Sequence, residues 1–308
     1  LNPDGVALGH YRTDTLGANL NRLYGDPQPE TAPSVAAVMR LVTRLHAGGA
    51  LAFYVDLHAH ANRRGCFLYG NALPTEEQRV EAAMYARLVA ANSRHLDLDG
   101  CDFSARNMAR RDRRDGRVAA GKEGSGRVGV YTATAITHAY TLECNYNTGR
   151  MVNRLQPLPT GTPAGRAAAA ASPKRAPPRA RPPRYDPACY AEVGRALAVA
   201  ALDLLGANPA SRVQSCERLR SVSASWVRLR ERKELARAAK VAAAKPASSD
   251  DDEEDDDAQR ACGGGVADVA AVRAHTDASA AATTSTLKAL SLGRATADAP
   301  ASAISGVR

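Results

Sequence analysis

Aromatic residues are scarce in this chain: three Phe, one Trp and ten Tyr make up 5% of its 308 residues, and beyond Tyr190 only Trp226 remains. That shortage excludes one large core running the whole length, and places the folded mass in the N-terminal two thirds. The six cysteines, Cys66, Cys101, Cys144, Cys189, Cys216 and Cys262, include no C-x-x-C pair. Their scatter excludes a disulfide framework and a structural zinc module, and suits a reducing compartment. There is no apolar run long enough to span a bilayer and no signal-peptide pattern, so no membrane partner is expected. Lys122-Glu123-Gly124-Ser125-Gly126-Arg127 has the glycines of a loop that approaches a ligand. It lacks the Lys-Ser/Thr ending of a phosphate loop, which sets nucleotide binding aside.

The formal charge is +9, mostly from arginine. Nucleic acid or an acidic protein surface would answer such an excess. The Arg-rich stretches, however, carry neither interleaved aromatics nor a recognisable reading module, so nucleic acid is not the expected partner. Residues 157–184 are rich in Ala, Pro and Arg and read as an unstructured insertion. Residues 210–245 form a basic helical pattern with a poor apolar stripe, and 246–308, with the acidic run Asp250–Asp257, read as a disordered tail. The ordered parts are then 1–156 and a closing helix within 185–209.

In the ordered part, strand-like and helix-like stretches alternate, which predicts an α/β fold. Asn2-Pro3-Asp4-Gly5 reads as a turn with Gly in the left-handed position. Pro33 to Ala47 has helical spacing closed by Gly48-Gly49, and Thr75 to Asn92 opens on a capping box formed by Thr75 and Gln78. Gly65 to Asn71, Arg127 to Val130 and Thr137 to Leu142 read as strands. Asp186 and Pro187 open a helix that runs to Gly206.

The stretch that organises the rest is Phe53-Tyr54-Val55-Asp56-Leu57-His58-Ala59-His60, a buried strand running into an Asp-x-His-x-His cluster. Ligands of open α/β sheets sit beyond the carboxyl ends of the strands, where the imidazole of His58 or His60 can bind zinc and Asp56 is near enough to hydrogen-bond the backbone or groups around the ligands. Taken alone, two strand-end histidines that merely hydrogen-bond are the simpler reading. A second strand ends in Glu143, and a carboxylate there costs several kcal/mol of desolvation unless it is paired or metal-adjacent. Asn21-Arg22 offers an amide beside a guanidinium fork suited to a carboxylate.

The order Asn-Pro-Asp-Gly, Asn-Leu-Asn-Arg, Tyr-Val-Asp-Leu-His-x-His, Arg-Gly-Cys-Phe-x-Tyr-Gly-Asn, Lys-Glu-Gly-Ser-Gly-Arg-Val and Tyr-Thr-Leu-Glu-Cys-Asn-Tyr-Asn-Thr-Gly resembles the cytosolic carboxypeptidase family. The likeness covers Asn2 to about Asn153 and Tyr185 to Pro209. It implies part of a zinc metallocarboxypeptidase domain, a mixed twisted sheet flanked by helices, that removes glutamates from polyglutamylated tails such as those of tubulin, in the cytoplasm and near microtubules or cilia. By the same likeness His58 is a zinc ligand, Glu143 the catalytic glutamate and Arg12 the arginine at the scissile carbonyl. Asn21 and Arg22 clasp the terminal carboxylate, Tyr131 is the mobile tyrosine that closes over it, and Lys122 and Arg127 face the substrate glutamate side chain. The family's His-x-x-Glu zinc motif is absent, since none of the seven histidines has a glutamate three residues on. The Zn2+ site is therefore incomplete, and the chain, which opens at Leu1 inside a motif, is expected to be a fragment of a longer enzyme. A catalytically inactive binder of acidic tubulin tails, using Arg12, Arg22 and Arg127, is the competing expectation.

Overall fold

A computed structural model describes residues 1–10, 12–110, 121–170, 184–213 and 215–243. The Asp250–Asp257 run, the rest of the expected tail and residues 171–183 of the expected 157–184 insertion lie outside these residues. The sheet is mixed, with order β1-β3-β2: β1 (Tyr54–His60) runs parallel to β3 (Ala139–Asn145), and β2 (Cys66–Tyr69) runs antiparallel to it. β3 is central and nearly all buried, because its Tyr140 and Leu142 face one layer of helices while Thr141 and Glu143 face the other side. β2 is buried throughout, as its continuous apolar run predicts. β1 differs from the expected buried strand: among the described residues it is an edge strand, and its outward Leu57 is 68% exposed.

The helices follow their local signals closely. α2 (Pro33–Ala47) starts on Pro and ends at Gly48-Gly49, with Gly49 at φ +67°. α3 (Glu76–Asn92) carries the full Thr75–Gln78 capping box. In α7 (Pro187–Leu204) the Asp186 side chain accepts from the Cys189 N–H, and Gly206 turns out of the helix at φ +63°. α3 lies under the sheet, with the Tyr85 and Tyr140 rings 5.0 Å apart and the Tyr140 hydroxyl donating to the Ala82 carbonyl. α7 packs beside α3 through Val193, Ala196 and Ala200. The basic helix α8 (Cys216–Ala243) packs on α3 as well. Val227 is buried against Val80, Ala83 and Met84, and Arg220–Glu81, Arg228–Glu76 and Arg79–Glu231 pair across the seam.

Three local expectations are corrected. Asn-Pro-Asp-Gly is a short helix, α1 (Pro3–Ala7), not a left-handed turn: Asn2 caps the Gly5 N–H, and its amide occupies the space a Cβ on Gly5 would need. Arg127 to Val130 is not a strand but lies in α5 (Gly126–Thr134). β-branched composition predicted extension there, but packing against the opposite face of the sheet decided otherwise. Within 157–184, Pro163–Ala170 forms α6, with the Thr162 hydroxyl accepting from Gly165 N; Pro at the first position and alanines after it favour a helix. Ala105–Met108 forms the short helix α4.

Below the sheet lies His138, fully buried against the Phe53 ring at 4.6 Å, with Nδ1 3.0 Å from the Tyr140 oxygen. Burial pushes this imidazole down to about 4 from its ordinary 6.5. The unfolded chain binds the proton near pH 6.5 and the folded one only near 4, so stability should fall as pH drops through that window. The expected loss is about 3 kcal/mol. Urea unfolding midpoints across the window, compared with those of His138→Gln, check this; parallel profiles would refute it.

Candidate active site

The side chains of Asp56, His58 and His60 alternate onto the face of β1 that lies opposite α3, and Glu143 and Asn145 do the same on β3. His58 and Glu143 are register partners near the carboxyl ends of two parallel strands, so the sheet itself brings them together. His58 Nδ1 lies 3.9 Å from Glu143 Oε1. The other ring nitrogen, Nε2, sits 2.8 Å from Asp56 Oδ2 and 3.2 Å from Asn21 Nδ2. The contact to the carboxylate is shorter and charge-assisted, so the ring proton belongs on Nε2 and the Nδ1 lone pair is left facing Glu143. Burial pulls the His58 imidazole down most strongly, but the hydrogen bond and charge of Asp56, with the charge of Glu143, leave it raised. Glu143, whose side chain is 12% exposed, is raised as well, chiefly by burial, against which the charges of His58 and Lys122 act.

Asn21 and Arg22 stand on a 3-10 turn, Leu20–Arg22, beside these strands. The Asn21 Oδ1 accepts from the Gly126 N–H at 2.8 Å, which aims its amide group at His58 and ties the turn to the start of α5. The two glycines of the Lys122–Arg127 segment approach other parts of the protein closely, Gly124 the Arg22 backbone and Gly126 the Tyr54 and Asp56 side chains. A Cβ on Gly124 would strike the Arg22 carbonyl, and one on Gly129 would crowd Tyr24. That closeness, with Tyr24 N–H donating to the Gly124 carbonyl, seats the Arg22 turn against α5. Lys122 reaches over the Tyr69 ring, 4.6 Å from its centre, and its charge is felt at Glu143.

The structure therefore gathers His58, Glu143, Asn21, Arg22 and Lys122. Arg12 lies exposed on the connection after α1. Two expected substrate contacts are placed otherwise. Arg127 is 1% exposed, with Nη1 donating to the Gly70 carbonyl and to Asn71 Oδ1 and Nη2 donating to Asn107 Oδ1. Its two Nη atoms join α5 to the loop after β2 and to α4, while its Nε is buried without a partner among the described residues. Tyr131 is buried in the main core on the interior of α5, not exposed beside the Asn21-Arg22 turn. His60 turns back on its own loop, its Nδ1 accepting from the Asn62 and Arg63 N–H groups.

The importance of Asp56 was only half visible beforehand. Its i, i+2 spacing from His58 puts both on one strand face, and the pairing itself is the missing signal. Tyr54, one step further back on that face, hydrogen-bonds Tyr24, and burial with the Asp56 charge keeps both phenols neutral.

A catalytic zinc takes three protein ligands and a water. His58, with a free Nδ1 and a carboxylate behind Nε2, has the form of one ligand with its orienting partner. Among the described residues no three His, Cys, Asp or Glu gather to hold an ion, so the remaining donors are not supplied by them.

No family model matches the chain. Curated relatives do: cytosolic carboxypeptidase-like protein 5 of Danio rerio is 36% identical over 305 residues, spanning 68% of this chain and 33% of that protein. The Homo sapiens protein of the same name is 35% identical over 298 residues, spanning 69% and 32%. A solved metallo-carboxypeptidase from Burkholderia cenocepacia aligns over 67% of this chain and 43% of its own, at 21% identity and a TM-score of 0.44. The chain thus spans about a third of the length of the curated relatives it matches. With about 35% identity sustained over two thirds of its residues, the chain belongs to the cytosolic carboxypeptidase family.

Proposed function

We propose that this chain forms part of the active site of a zinc metallocarboxypeptidase that removes glutamates from polyglutamylated protein tails in the cytoplasm, tubulin's among them. The observation that carries the reading is the buried Glu143 beside the partly exposed His58, 3.9 Å apart, with His58 oriented from behind by Asp56. His58 would contribute one ligand and donors outside the described residues the others; a bound zinc supplies a Lewis acid for the scissile carbonyl.

The protein's own residues then divide the work. Glu143, held above its ordinary value by burial, takes a proton from the attacking water and returns it to the leaving amine. Arg22 with Asn21 receives the terminal carboxylate, which restricts cleavage to chain ends. Lys122, whose charge is felt at Glu143, favours an acidic side chain. Arg12 is proposed at the polarised carbonyl. Arg127 and Tyr131 take no part in this division, because both are packed into the fold.

The presence of a single described ligand favours one competing reading, an inactive protein that binds acidic tails through Arg22 and Lys122. The test is release of free glutamate from a polyglutamate-ended peptide by a protein that carries this chain together with the zinc donors outside the described residues. Glutamate release that a chelator abolishes supports the enzyme. Peptide binding that survives the chelator, with no glutamate released, overturns it in favour of the binder.

A further inference from the structure

On the face of the sheet turned away from His58 and Glu143, β2 and β3 set two thiols side by side. Cys66 and Cys144 are register partners in the antiparallel pair. The Cys66 N–H and C=O both turn the other way, to the His95 carbonyl and the Asp97 N–H. The two cysteines thus form a non-hydrogen-bonded pair, the kind in which facing Cα atoms approach to about 4.5 Å and side chains lie closest. Disulfides span Cα separations of roughly 4.4–6.8 Å, so the backbone needs no rearrangement to join them. The Cys66 thiol donates toward the Tyr185 oxygen, 3.8 Å from its Sγ. Cys66 is fully buried, whereas Cys144 is partly exposed.

Their acidities are split. The hydrogen bond from Cys144 lowers the Cys66 thiol, burial opposes it, and Tyr185 adds to the lowering; the balance leaves Cys66 below its ordinary value. Cys144, the donor, is raised. Access rather than acidity therefore sets the order of events: peroxide meets the exposed Cys144, whose raised value makes that step slow, and the more readily ionised Cys66 resolves the product.

We propose that Cys66 and Cys144 are a reversible oxidation site, at which hydrogen peroxide closes a cross-strand disulfide beside Glu143. The Cys144 sulfur takes one peroxide oxygen, the O–O bond breaks, and one water leaves, giving a sulfenic acid. The Cys66 thiolate then attacks the Cys144 sulfur. The S–S bond forms as the S–O bond breaks, and the departing hydroxide takes up the proton given by Cys66 to leave as a second water. Two thiols lose two electrons in all, and one peroxide gains them. The bond ties the segment of β3 that carries Glu143 to β2, and a thiol reductant restores both cysteines.

The test treats the reduced 308-residue protein with stoichiometric hydrogen peroxide, alkylates the remaining thiols and maps peptides without reductant. The expected product is the Cys66 peptide joined to the Cys144 peptide, two hydrogens lighter than the separate pair and parted again by dithiothreitol. In Cys66→Ser, Cys144 should stop at a sulfenic acid that dimedone captures. Cys144 joined to Cys189 instead, or carried on to a sulfinic acid in the native chain, would overturn the proposal. So would Cys66 and Cys144 both remaining alkylatable once Cys216 has been oxidised. The native-chain map decides the matter even if the variant fails to fold.

Discussion

In the enzyme of the proposed reading, replacing Glu143 by Gln is expected to cut the rate of glutamate release by about 10²–10⁴-fold while leaving the affinity for a polyglutamate tail nearly unchanged. Gln keeps the volume of the side chain at a position only 12% exposed, so the sheet should tolerate it. It removes the group that accepts and returns the proton. Arg22, Asn21 and Lys122, which hold the substrate in the proposed reading, are untouched. Single-turnover release of glutamate, set beside equilibrium binding of the same peptide, measures the split. A variant that turns over at more than about a tenth of the native rate would remove Glu143 from the role of proton carrier. A parallel loss of binding would mean instead that the substitution has disturbed the cleft.

Arg127→Met should be the most damaging substitution for folding, with an expected cost of about 3–5 kcal/mol. Met fills much of the buried volume but donates nothing. The Gly70 carbonyl and the Asn71 and Asn107 side-chain oxygens, all beneath the surface, would then be left without the guanidinium that now serves them. Burial holds the arginine itself down to about 10, still protonated at neutral pH. Arg127→Lys should recover only part of the loss, since a single ammonium cannot reach three acceptors set out for a planar fork. Urea unfolding of the three proteins gives the comparison. A cost under about 1 kcal/mol for Arg127→Met would show that these acceptors find water or other donors, and would return Arg127 to the residues free to meet substrate.

The two substitutions differ in what made their sites visible. A glutamate closing an apolar strand is anomalous in any sequence, because its desolvation must be repaid by chemistry nearby. Glu143 and His58 could be singled out that way, and the capping box of α3 and the Asp186-Pro187 opening of α7 were legible for a related reason: their signals lie within four residues of one another. Arg127 was misread for the opposite reason. A run of Arg-Val-Gly-Val-Tyr has the composition of a strand and the charge of a binding wall. Both impressions fail against partners 20 to 57 positions away, which no local pattern reports.

What the sequence by itself determined is therefore the chemistry available and the family in which it is found: which strands end in His58 and Glu143, which turn carries Asn21-Arg22, and where the long helices begin and stop. Only the tertiary structure decided which of these residues share a site. The parallel register of β1 with β3 sets His58 against Glu143, and period-two alternation then puts Asp56 behind the imidazole. The close seating of Gly124 and Gly129 on the Arg22–Tyr24 segment brings a distant turn to the sheet, and converts the segment after it from a strand into helix α5. Propensity acts between neighbours in the chain, while burial and register act between neighbours in space, and in a sheet of three strands drawn from positions 54 to 145 the second set prevails.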